Sequence, residues 1–260
     1  MKKGALRGLA SRSERRVKRG VTVIMRRCAD ASAKAALAVI IGITACILPS
    51  TMEAGTIKGT VRLKGGPVPQ KKLPVTIDQY VCGQEKDTED LVVSPDRGIR
   101  NAVVSLQTPP PGAKWETTAS PAKIDQKQCV FVPRVIVTPV GGTVEFLSSD
   151  PLLHNIHSFG TANSSFNRAQ PKGRTISVVF KAPEIVRVDC DLHSWMHAWV
   201  VVADHPYFAV TGDRGEFVLE NVPPGKHTIR IWQERLRSVT QEVTVADTGV
   251  STVTVEMTPP

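Results

Sequence analysis

The sequence predicts an all-β protein, on three observations. Apolar residues recur with a period of two or in short runs, as in Thr143-Val144-Glu145-Phe146, Glu216-Phe217-Val218-Leu219 and Thr228-Ile229-Arg230-Ile231-Trp232. Turn-forming groups separate these runs: Gly65-Gly66-Pro67, Pro109-Pro110-Pro111-Gly112, Gly141-Gly142, Gly212-Asp213-Arg214-Gly215 and Pro223-Pro224-Gly225. Beyond the first 54 residues no segment carries a convincing helical stripe, residues 236–243 being the one weak candidate. Short strands at this spacing build a sandwich or a barrel.

The N-terminal segment is set apart by charge. The 260-residue chain has a formal net charge of +9. Residues 1–34 hold eleven of its 33 Lys/Arg and two of its 24 Asp/Glu, so the remainder is balanced at 22 of each. Basicity confined to one end, followed by the apolar run AALAVIIGITACIL (35–48), reads as an export signal and excludes a nucleic-acid surface on the body. The run is short for a membrane span and is stopped by Pro49. Ala54 closes a loose cleavage context, which places the mature start near Gly55. Met25 opens a better-proportioned signal and is an alternative initiator. Ile43-Thr44-Ala45-Cys46 looks like a lipobox, so the expected location is periplasmic or secreted, with membrane attachment only if Cys46 is acylated.

The mature part, roughly 205 residues, suffices for one large or two small cores. Residues 55–125 read as an irregular β region rich in Lys and Pro. Residues 126–204 carry strands at 135–137, 143–146, 175–180, 185–189 and 198–203, and residues 205–260 form a small β module. Of five cysteines, Cys28 and Cys46 fall in the targeting segment. Cys190 belongs to the metal motif below. Cys82 and Cys129 remain, an even pair in an oxidising compartment. A bridge between them closes a loop of about 48 residues and adds about 4 kcal/mol in the chain-entropy picture.

The chemistry concentrates in VDCDLHSWMHAWVVV (188–202) and DPLLHNIHSF (150–159). The first places Cys190, His193 and Met196 in the spacing C-x2-H-x2-M, on one tight turn between the strands 185–189 and 198–203. The second supplies His154 from a neighbouring strand end, with Asn155 placed to hydrogen-bond across to the turn. One thiolate, two imidazoles and a thioether suit a mononuclear copper ion that cycles between Cu(I) and Cu(II). Zinc gains little from a thioether. His157 is an alternative to His154, and His197, after Met196, points away. Asp189 and Asp191 flank Cys190 and, if ionised and near, favour Cu(II). A nucleophile-plus-base pair, a phosphate-cradling loop and paired carboxylates in a convincing context are all lacking, so an enzyme is not expected.

With these residues in view, 126–204 resembles the cupredoxin family, and most of all its amicyanin branch, through the C-x2-H-x2-M loop, the His154-Asn155 pair and the upstream stretch PRVIVTPVGGTVEF. The resemblance implies a Greek-key sandwich with copper near one end, held by His154, Cys190, His193 and Met196. It also implies single-electron transfer with a redox-protein donor and acceptor, and a second histidine exposed as the electron's port. The whole chain resembles exported proteins of the methylamine-utilisation type. VTGDRGEFVLENVPPGKHTIRIW (210–232) resembles a transthyretin-like or carboxypeptidase-regulatory-like sandwich, in which GTIKGTVRLKGG (55–66) is a common opening strand; residues 57–63 are thus expected to pair with the terminal module or pack against it, the alternative being the first strand of the cupredoxin-like part. A copper-delivery protein with a labile ion, or a structural envelope protein with a vestigial site, are the rival readings.

Overall fold

A computed structural model describes residues 54–66, 68–115 and 120–259. The targeting segment, with Met25, Cys28 and Cys46, lies outside the described residues. In chain order the strands are β1 (Gly55–Leu63), β2 (Lys72–Pro74), β3 (Glu85–Asp87), β4 (Val103–Leu106), β5 (Ala122–Lys127) and β6 (Val130–Val132). Next come β7 (Val135–Pro139), β8 (Thr143–Ser148), β9 (His154–Phe159), β10 (Phe166–Gln170), β11 (Ile176–Val179) and β12 (Glu184–Asp189). The last are β13 (His197–Ala203), β14 (Phe208–Val210), β15 (Glu216–Val222), β16 (Gly225–Gln233), β17 (Leu236–Val245) and β18 (Val250–Met257). One helical turn, α1 (Gln79–Cys82), interrupts them between β2 and β3. The chain is all-β, as its alternating apolar pattern predicts, and no described helix is long and apolar enough to cross a membrane.

Two pairs of sheets enclose two cores. A five-stranded sheet ordered β10-β9-β12-β13-β7 and a four-stranded sheet ordered β11-β8-β5-β6 share the first. In β8 the period of two buries Val144, Phe146 and Ser148 and leaves the intervening residues half-exposed. Val144 and Phe146 meet Ile156, Val186, Val188, Ala198 and Val200 from the facing strands. The second pair is β15-β1-β18 and β14-β4-β16-β17, closing over Ile57, Val61, Phe217, Leu219, Ile229 and Ile231. β1 runs antiparallel to β15 and parallel to β18, in register from Thr56 opposite Val250 to Leu63 opposite Met257. The opening strand does pair with the C-terminal segment. Residues 55–125 are shared out: β1 and β4 join the second pair of sheets, and β5 joins the first. Gly59 makes the β1–β15 contact possible, because a Cβ there would lie 2.6 Å from the Phe217 ring.

The weak helical candidate at 236–243 is a strand. Leu236, Val239 and Val243 carry a helical spacing, but the segment pairs along its length with β16, and Val243 and Val245 bury on alternate positions. Cross-strand pairing overrides a marginal local pattern.

The two sandwiches meet through Val103, Val135 and Val201, with Trp199 edge-on to Trp232 at 5.1 Å between ring centroids. Beside them the Arg134 guanidinium grips the Glu234 carboxylate with two bonds, Nε to Oε1 at 2.7 Å and Nη2 to Oε2 at 3.0 Å. Cys82, at the end of α1, is disulfide-bonded to Cys129 in the β5–β6 turn, and Cys190 is free and buried.

Candidate metal centre

β9 and β12 are antiparallel neighbours, and β12 turns into β13 through residues 190–196. That turn is folded back on itself: the Cys190 N–H donates to the Met196 carbonyl (3.2 Å) and the Met196 N–H to the His193 carbonyl (2.8 Å). A hairpin closed this way holds Cys190 and His193 facing the start of β9, where His154 stands. All three side chains are sealed, with His154 and His193 at 0% exposure and Cys190 at 1%.

Their donor atoms converge. Cys190 Sγ lies 3.7 Å from His154 Nδ1 and 3.5 Å from His193 Nδ1, and the two Nδ1 atoms are 3.0 Å apart. A point equidistant from the three is about 2.0 Å from each, a metal–nitrogen bond length and a little short of a metal–sulfur one. Both Nε2 atoms point outward to carboxylates, His154 to Asp150 Oδ2 (2.9 Å) and His193 to Asp78 Oδ2 (3.2 Å). If Nε2 carries the proton of each neutral ring, both Nδ1 lone pairs face one point. Met196 closes the turn at 1% exposure, in the same apolar cluster as Cys190 and Trp195. The residues therefore fit a soft, thiophilic ion of low coordination number, and copper matches the donor set.

The electrostatics agree. Burial, helped by the adjacent His193 ring, holds His154 below its ordinary pKa against the pull of Asp150, so the imidazole stays neutral, the form that ligates. Burial pushes the Cys190 thiol up, against hydrogen bonds from the backbone of Asn155, His193 and Leu192. An apolar pocket with a raised thiol pKa needs a cation to hold the thiolate.

Asn155 links strand and turn. Its Oδ1 accepts the Asp191 N–H (2.7 Å) and the Cys190 thiol (3.3 Å), while its Nδ2 donates to Asn167 Oδ1 (2.8 Å) and Asp191 Oδ2 (3.0 Å). His157 stands outside the cluster, half-exposed and 2.9 Å from Asp191 Oδ1. His197 pairs with Asp189 at 3.0 Å, facing away from the pocket. The acidic neighbours of Cys190 are both ionised and both engaged elsewhere. Burial of Asp189 is outweighed by hydrogen bonds from His197 and Arg187, and Asp191 is lowered first by His157, then by Asn167. His205 and His227 lie elsewhere, the latter 2.7 Å from the Pro223 carbonyl.

One expectation is corrected. The second histidine is not an exposed port. The segment carrying α1 lies over it, presenting Asp78 to its outer edge and tied down by the Cys82–Cys129 bridge. Sequence reasoning also missed Asp78 and Asp150. Asp78 is 115 positions from His193, and the only hint that its segment approaches the site was the cysteine pair. Asp150 sits four residues before His154, a spacing with no motif attached.

No protein-family model matches the chain, and no curated protein does. Among solved structures, a copper-containing nitrite reductase (NirK) from Thermus scotoductus SA-01 is similar at 23% identity and a TM-score of 0.32, over 38% of this chain and 25% of that one. A purple cupredoxin from Nitrosopumilus maritimus is similar at 24% identity and a TM-score of 0.28, over 32% of this chain and 99% of that one. The reduced Cu(I) form of a point mutant of amicyanin is similar at 19% identity and a TM-score of 0.31, over 38% of this chain and 98% of that one. The chain thus spans a quarter of the reductase's length. Overlaps this partial leave the site's chemistry to be read from its own atoms.

Proposed function

We propose that this chain is an exported, mononuclear copper protein of the blue-copper type that carries single electrons between redox proteins and is not itself an enzyme. The observation that carries the reading is the sealed convergence of Cys190 Sγ and the Nδ1 atoms of His154 and His193 on one point. Those three residues would hold the ion, with the Met196 thioether as a weak further donor. A copper ion so held supplies a one-electron couple. The chain's residues do the rest: the β-strands hold the donors near one geometry for both oxidation states, and the buried pocket excludes water. Asn155 fixes the start of the turn by accepting the Asp191 N–H. The basic N-terminal segment and the Cys82–Cys129 bridge support export, with membrane attachment through Cys46 if that residue is acylated. Burial of all three donors favours a retained ion over the labile one of a delivery protein, and their convergence argues against a vestigial site.

The test is copper loading of the mature protein with metal analysis and a visible spectrum. One copper per chain is expected, with the intense thiolate-to-copper absorption that colours blue-copper proteins, bleached and restored by reductant and oxidant without loss of metal. Cys190→Ser should abolish the band. A band that survives in that variant, or copper lost on every reduction, sinks the electron-carrier reading.

A further inference from the structure

The two imidazoles of the cluster share an arrangement that the ligand set alone does not require: each sets its outer Nε2 within hydrogen-bond distance of a carboxylate oxygen. We propose that Asp78 and Asp150 are positioning residues for the metal centre, setting the orientation and basicity of His193 and His154 and so the balance between the oxidised and reduced ion. The inference rests on the copper reading above.

Asp150 is the more rigid of the two. Its side chain is 6% exposed, and its carboxylate accepts the backbone N–H groups of Gln128 (to Oδ1, 2.6 Å) and Cys129 (to Oδ2, 2.8 Å) while Oδ2 also faces His154 Nε2 at 2.9 Å. Gln128 and Cys129 take left-handed backbone angles, φ +54° and +56°, which aim both amides at that carboxylate. Such conformations are costly for residues other than glycine and persist only where the surroundings enforce them. Asp78 is also left-handed, φ +55°, at the start of α1, and its side chain is 28% exposed. Its Oδ2 reaches His193 Nε2 at 3.2 Å from a segment that neither sandwich sheet contains.

One residue joins the two arms. Cys129 gives its N–H to Asp150, takes the Trp195 indole N–H on its carbonyl (2.9 Å) and bonds through sulfur to Cys82, four residues beyond Asp78. Trp195 in turn lies against the His193 ring, 5.2 Å between centroids. The bridge therefore anchors the segment that delivers one carboxylate to the turn that fixes the other.

The physical consequence is directional. A carboxylate accepting the outer N–H makes the imidazole a stronger donor and keeps negative charge near the ion, and both effects favour the more highly charged oxidation state. Asp78→Asn keeps an acceptor but removes the charge, Asp78→Ala removes both, and Asp78→Glu restores both.

The experiment is a redox titration of the copper-loaded mature protein and these three variants, with the ring N–H signal of His193 followed by NMR in the diamagnetic reduced form. Asp78→Asn and Asp78→Ala are expected to keep copper and colour while moving the equilibrium about tenfold toward the reduced ion, about 59 mV for one electron. Asp78→Glu should restore it. Wild type should show a downfield, slowly exchanging His193 Nε2–H signal that Asp78→Ala loses. For Asp150, whose replacement would disturb two backbone amides, the readout is the His154 Nε2–H signal in the unaltered protein, again downfield and slow to exchange. Copper-loaded Asp78 variants within twofold of the wild-type equilibrium, with unchanged N–H signals, overturn the proposal and leave the copper reading standing. A wild type that takes up no copper overturns both.

Discussion

Asn155 shows how much a single side chain can hold in this fold. It is 7% exposed, and its two polar atoms make four contacts that span β9, β10 and the metal-binding turn. Asn155→Ala leaves the Asp191 N–H short of its acceptor and should destabilise the metal-free protein by about 1–3 kcal/mol, read by urea unfolding; a change below measurement error would show that the turn holds itself. Glu184 is the counterpart on the opposite end of β12. Burial would raise its pKa, but hydrogen bonds from the side chains and backbone of Thr161 and Asn163 outweigh that and bring it to about 2. A folded pKa below the unfolded one gives stability that is present above pH 4.5 and lost as pH falls from there toward 2. The group is partly exposed, so solvent screening reduces its share to roughly 1–2 kcal/mol. Glu184→Gln should remove that share at neutral pH and flatten the acid limb of a stability–pH curve; an unchanged limb between wild type and variant counts against the assignment.

At the scale of elements, the segment from α1 to β3 is the least self-sufficient part of the structure. Among the described residues β2 and β3 pair only with each other, and α1 is a single turn. The Cys82–Cys129 bridge closes a loop of 47 positions, and its loss in a Cys82→Ser, Cys129→Ser protein should cost about 4 kcal/mol. The same variant should make the His193 ring reachable by solvent, seen as faster exchange of its N–H. Equal exchange rates in the bridged and unbridged proteins would mean that the segment stays in place without its tether. This is also where the sequence was hardest to read. β12 and β13 were legible to within a residue, β12 by the alternation that buries Val186 and Val188 and exposes Arg187, β13 by an apolar run buried on both faces. The convergence of Cys190, His193 and His154 was legible because two of them share a short turn whose ends are fixed by strand pairing. α1 was not, since four residues show no periodicity and its position depends on a crosslink and a contact between residues 115 positions apart. β17 was left ambiguous because Leu236, Val239 and Val243 mimic a helical stripe that pairing with β16 overrules.

The whole molecule depends on how its two sandwiches are joined, and the join passes close to the metal-binding turn. Arg134 sits immediately before β7 with its side chain 4% exposed, and Glu234, in the β16–β17 connection, is 11% exposed. The same guanidinium donates from Nη1 to the His197 carbonyl (3.1 Å), one residue beyond Met196. One buried cation therefore ties the second sandwich to the exit of the turn in the first. A buried ion pair adds little over a well-packed apolar pair, because desolvation offsets attraction, but breaking it leaves a charge without a partner. Glu234→Ala should accordingly cost about 3–5 kcal/mol, whereas the double change Arg134→Met, Glu234→Leu should recover most of that loss. The two variants separate a structural latch from a site effect. If the latch also holds the turn, Glu234→Ala alone should broaden the visible band of the copper-loaded protein, since the turn's exit loses its anchor while every donor remains. Calorimetry of the metal-free forms supplies the complementary reading: one cooperative transition in the wild type, dividing into two in Glu234→Ala as the sandwiches unfold separately. A single unshifted transition in that variant would show that the apolar contact of Val103, Val135, Val201, Trp199 and Trp232 joins the halves without help from the ion pair.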